Sequence, residues 1–127
     1  MLSANETNIL GNIFNSSYGQ STSGTYGCKA VLEGNKVKIM YSTTAYFASE
    51  RDMHFQQARL SEESSVRIND FVKHAKSQFK EMAGSALKLN ELGDRDSLEL
   101  VNASMNNPRR VFVYRRHAEF EILNGGK

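Results

Sequence analysis

The stretch SERDMHFQQARLSEESSVRINDFVKHAKSQFKEMA, Ser49 to Ala83, decides the fold of this chain. It holds neither glycine nor proline, and Leu60, Ser64, Ile68, Phe71, Ala75, Phe79 and Met82 recur at close to 3.67 residues per turn. That is the period of a nearly straight amphipathic helix, not of a left-handed coiled coil. Val72, Ala83 and Ala86 widen the apolar face, and Arg67, Asp70, Lys73, Lys76, Lys80 and Glu81 cover the other side. Ser49-Glu50-Arg51-Asp52 has the form of a capping box, which opens the helix at Ser49. The alternative is a second start at Leu60-Ser61-Glu62-Glu63, with Met53 to Arg59 as a short strand. A continuous helix would be about 50 Å long. A compact body of this chain length is only about 36 Å across, from a radius of gyration of roughly 14 Å. The helix would overhang such a body, and the overhang favours a second copy or another partner to cover it.

Upstream lies a hairpin. Thr25 to Glu33 and Lys36 to Phe47 both alternate, with Gly34-Asn35 between them. A two-residue loop of this type asks for a primed turn. Closing it places Glu33 opposite Lys36, Leu32 opposite Val37, Ala30 opposite Ile39 and Cys28 opposite Tyr41. The apolar members then share one face. Lys29, Val31, Lys36, Lys38 and Met40 take the wetter one.

Before the hairpin, Leu2 to Phe14 reads as a short amphipathic helix with Asn5 as N-cap. Residues 16–24, within SSYGQSTSGTYG, form a flexible connector. After the long helix, Gly93-Asp94-Arg95-Asp96 reads as a turn and Ser97 to Met105 as a strand. Asn106-Asn107-Pro108-Arg109 is a second turn. Arg110 to Ile122 is the last strand, with Phe112, Tyr114, Ala118, Phe120 and Ile122 on one face, interrupted by Arg116. Residues 123–127 are a frayed tail. The expectation is one α+β domain over residues 1–127: an antiparallel sheet of about four strands, as two hairpins, packed on one long helix with a short N-terminal helix beside it.

Composition narrows the function. A net charge of +2 in 127 residues is too small to make the whole molecule a nucleic-acid binder, so any such role must sit in a patch. Cys28 is the sole cysteine, which rules out an intrachain disulfide and a cysteine metal cluster. The polar Asn5-Glu6-Thr7-Asn8 falls where a signal peptide needs an apolar core, and no membrane span is readable, so a cytoplasmic location is expected. Glu50, Asp52 and His54 share a face only on a strand, so on a helix they hold no metal. The glycine spacing of Gly19 to Thr25 lacks the lysine and preceding strand of a phosphate loop. No catalytic residue, cofactor, metal or small-molecule substrate is expected.

Two functions remain. The leading one is a non-catalytic assembly or interaction protein acting as a homo-oligomer. The alternative is a nucleic-acid-binding module using Arg109, Arg110, Arg115 and Arg116 with Tyr114, since arginine meets phosphate and aromatics on an open sheet stack on bases. In the competing structural role, Phe112 and Tyr114 are core and the arginines pair with acids. The runs Asn8-Ile9-Leu10-Gly11-Asn12-Ile13-Phe14, Tyr41-Ser42-Thr43-Thr44 and Tyr46-Phe47-Ala48-Ser49-Glu50 resemble small uncharacterised proteins of marine tailed phages and environmental sequences. That resemblance implies a virion or assembly component, or an accessory factor in the infected cell, and it transfers no site residues.

Overall fold

The computed structural model describes residues 2–14, 27–47, 49–102 and 110–124, and for residues 100–102 and 110 the backbone alone. The elements run α1 (Ala4–Phe14), β1 (Cys28–Glu33), β2 (Lys36–Phe47), α2 (Glu50–Ala83), β3 (Leu89–Asn102) and β4 (Arg110–Ile122). All four strands form one antiparallel sheet in the order β1-β2-β4-β3. The class is α+β, as the residue pattern predicts. The expected connector falls outside the described residues.

β1 and β2 close in the register read from the sequence, from Glu33↔Lys36 to Cys28↔Tyr41. Gly34 carries a positive φ of 61° and Asn35 does not, the pattern of a type II′ turn. Every second residue of β2 then turns inward: Val37, Ile39, Tyr41, Ala45 and Phe47 are buried. Tyr114, Ala118, Phe120 and Ile122 of β4 meet them on the same face.

α2 is one unbroken helix of 34 residues. Ser49 caps it, its hydroxyl accepting from the Asp52 amide at 3.2 Å. Gly84 ends it at φ 78°, with its N–H on the Lys80 carbonyl at 2.9 Å. Leu60, Ser64, Ile68, Phe71, Ala75 and Phe79 are buried, as the stripe predicts. Met82 departs from it: it lies 54% exposed in the last turn.

The length of α2 has a topological cause. β2 and β3 both run antiparallel to β4, so they are parallel to each other, and α2 is the crossover between them. It must carry the chain back along β2, whose 12 residues span about 40 Å at ~3.3 Å each. At 1.5 Å per residue α2 runs about 51 Å, so β2 matches about four fifths of its length.

Three local expectations need correcting. The cap of α1 is Ser3, not Asn5. Ser3 Oγ accepts from the Glu6 amide at 3.1 Å and Glu6 Oε1 from the Ser3 amide at 3.2 Å, a reciprocal box that Asn5 has no glutamate to complete. Gly93-Asp94-Arg95-Asp96 is strand rather than turn, because β4 offers a full-length partner and register shifts near Gly93 and Asn102 absorb the misfit. Leu123 and Asn124 are tied down. The Leu123 N–H meets the Lys88 carbonyl at 2.9 Å, and the Asn124 amide bonds both Lys88 N–H and the Ala86 carbonyl at 2.6 Å.

Candidate interaction surfaces and a buried polar junction

The residues of the nucleic-acid reading do not share a surface. Arg109 lies outside the described residues, and of Arg110 only the backbone is described, paired with Phe47. Arg115 and Arg116 are neighbours on a strand and therefore point to opposite faces. Tyr114 is fully buried on the inner face, so it is no stacking platform.

Tyr114 and Arg116 instead form a polar junction beneath α2. The Tyr114 hydroxyl donates to Asp96 Oδ2 at 3.0 Å and lies 3.1 Å from the Ser64 hydroxyl, which donates to the Ser61 carbonyl at 2.8 Å. Arg116 donates to Ser61 Oγ at 3.0 Å and to Asp94 Oδ2 at 2.8 Å. Burial works against the Arg116 charge, but hydrogen bonds to Tyr114 and Asp94 and the Asp94 charge keep its pKa above the usual arginine value. The middle of α2 is so tied to both β4 and β3. Beside it, between α2 and β3, a cleft of about 150 Å³ is lined by Ser65, Asn69, Glu91, Asp94 and Arg116. The sequence carried a signal for this junction: Ser64 sits in the apolar stripe of α2, and Tyr114 and Arg116 sit on the apolar face of β4. Asp94 and Asp96 carry no such signal, because glycine and two aspartates read as a turn with solvated acids.

Among the described residues, the other face of the sheet carries no helix. Lys29, Met40, His117 and Arg95 stand side by side across all four strands, and Val31, Lys38, Glu119 and Gly93 form the next row. They line a shallow basin of about 540 Å³ with Leu92 at its edge. Arg115 pairs with Glu99 at 2.6 Å, Lys38 with Glu33 at 3.1 Å and Lys36 with Glu119 at 3.8 Å. Lys29 and Arg95 make no ion pair among the described residues. The His117 pKa is lowered by burial first and then by the Arg95 and Arg115 charges. The two charges that act on the ring are both cationic.

The outward face of α2 is the third surface. Phe55 is 74% exposed and Val66 53%, and both point away from the buried stripe. Arg59 and Glu62, also exposed, lie between them on the same side.

Cys28 is buried, and desolvation pushes its thiol up to about 12 against a small opposing effect of Arg67, so it stays protonated at neutral pH. On the first turns of α2, Asp52 accepts from Gln56 at 3.0 Å. No group of three or more histidine, cysteine or acidic side chains among the described residues is placed to hold a metal. No helix among them is long and apolar enough to cross a membrane. No known protein family, curated protein or solved structure matches the chain.

Proposed function

We propose that this protein is a non-catalytic interaction module that assembles with copies of itself. The observation that carries the reading is the outward face of α2, where a phenylalanine and a valine stand in water on a rigid helix pinned at its middle to the sheet. Exposed apolar side chains on a rigid element gain by being covered. The resemblance to small phage proteins would put such an assembly in a virion or an infected cell. Light scattering on the purified chain tests it. The expected mass is a multiple of 14.3 kDa. A mass of one chain that persists as the protein is concentrated removes the reading.

A second reading rests on the bare sheet face. Lys29 and Arg95 offer positive charge beside the His117 ring and the apolar Met40 and Leu92, a surface suited to an anionic strand such as single-stranded DNA or RNA. Binding of a mixed-sequence oligonucleotide would fall steeply with salt, and Lys29→Glu with Arg95→Glu would abolish it. No retention at low salt retires this alternative.

A further inference from the structure

We infer that α2 packs against α2 of a second copy, antiparallel, about a twofold axis passing between Leu60 and Ser61. The inference rests on the self-assembly reading and gives it a surface and a register. Phe55, Arg59, Glu62 and Val66 are spaced by four, three and four residues, the spacing of a helix–helix seam. All four are exposed on the side of α2 away from the sheet.

The order of residues in this seam is self-complementary. Phe55 and Val66 are equidistant from the midpoint between Leu60 and Ser61, and so are Arg59 and Glu62. A twofold axis at that midpoint lays Phe55 on Val66 of the second copy and Arg59 on its Glu62, and symmetry repeats both contacts. Each large apolar side chain is then covered, and each charge meets its opposite. Asp52 and Asn69, the next positions outward, also fall together; being polar, they end the apolar contact there. Parallel pairing would set Arg59 on Arg59 and Glu62 on Glu62, so charge selects the antiparallel arrangement. The sheet does not obstruct it, since α2 faces the sheet with its opposite side.

Sedimentation equilibrium of the full chain and four variants tests the register. Arg59→Glu sets two acids against each other across the axis, and Glu62→Arg sets two cations. Each is expected to weaken the dimer by about tenfold or more, and the double variant Arg59→Glu/Glu62→Arg, which restores opposite charges, to recover most of the loss. Phe55→Ser, which alters no charge, is expected to weaken it as well. All four residues are exposed, so circular dichroism should match the parent. A parent that dimerises while every variant dissociates as it does overturns this register and leaves self-assembly standing on another surface. A parent that is monomeric throughout overturns both.

Discussion

Tyr114→Phe removes one oxygen from the centre of the molecule. The hydroxyl is fully buried and, beside the Arg116 guanidinium, meets Asp96 at 3.0 Å and Ser64 at 3.1 Å. The contacts to Asp96 and Ser64 are not equal. With Asp96 as a carboxylate, the network holds two hydroxyl protons for three short contacts. Ser64 spends its proton on the Ser61 carbonyl and Tyr114 spends its own on Asp96. The Ser64–Tyr114 approach is left without a proton of its own. The loss in Tyr114→Phe is therefore mainly the hydrogen bonding to charged partners, Asp96 and Arg116, about 2 kcal/mol. At roughly 2.1 cal/mol/K of unfolding entropy per residue, a chain of this length loses about 4 °C per kcal/mol, so the melting temperature should drop by roughly 8 °C. The urea midpoint should fall with the slope unchanged.

Ser64→Ala sharpens the test. The seryl hydroxyl bonds a carbonyl of its own helix, and alanine is the better helix former. The change should cost well under 1 kcal/mol, and the double variant should show coupling below about 0.5 kcal/mol. Calorimetry on the four proteins of this cycle decides it. A Tyr114→Phe protein melting within a degree or two of the parent would refute the argument. So would a coupling as large as the whole Tyr114 effect, because it would put the shared proton between Ser64 and Tyr114.

Three further outcomes are expected. The Cys28 thiol has its pKa raised from 9.0 to about 12, so between those values the unfolded chain ionises and the folded one does not. Its stability contribution is complete below pH 9 and falls above it by up to about 1.4 kcal/mol per pH unit; urea titrations at pH 9 and 10 should show a shallower loss for Cys28→Ala than for the parent. The His117 pKa, held low in part by Arg95, should rise in Arg95→Gln when the ring is titrated by NMR, and an unmoved value would contradict the cross-strand row. Phe71, 6% exposed and packed near Phe14 at a ring separation of 6.2 Å, cannot become Asp without burying a charge; Phe71→Asp should lack a cooperative melt, and a transition near that of the parent would refute its placement.

The parts of the fold legible in the sequence are those where local and tertiary preferences agree. Gly34-Asn35 fixes the turn, and strict alternation on both sides fixes the register, so the β1–β2 pairing follows without knowledge of the rest. α2 is legible as well, because its stripe from Leu60 to Phe79 keeps phase over more than five turns. β3 is where they disagree. Leu92-Gly93-Asp94-Arg95-Asp96 has turn composition, and only its neighbour β4 holds it extended. The candidate surfaces split the same way. Arg115, Arg116 and Tyr114 are adjacent in sequence, yet the period of two sends Arg115 outward and the others inward. The row Lys29, Met40, His117 and Arg95 is invisible along the chain, because its members come from four strands whose order no local pattern encodes.

Topology also changes what the long helix means. Length alone argues for a partner only if the body beneath is compact. A crossover between parallel strands that are not neighbours must run the full length of the sheet, and here β4 has been inserted between β2 and β3. The 34 residues of α2 run about 51 Å against about 40 Å of β2, so the path along the sheet accounts for most of the length of α2. It does not account for the outward face. A crossover helix needs one apolar stripe, and the stripe from Leu60 to Phe79 supplies it; Phe55 and Val66 add nothing to that packing. The case for a second copy therefore moves from how far the helix reaches to what its far side carries, and there the order Phe55, Arg59, Glu62, Val66 matches its own reverse.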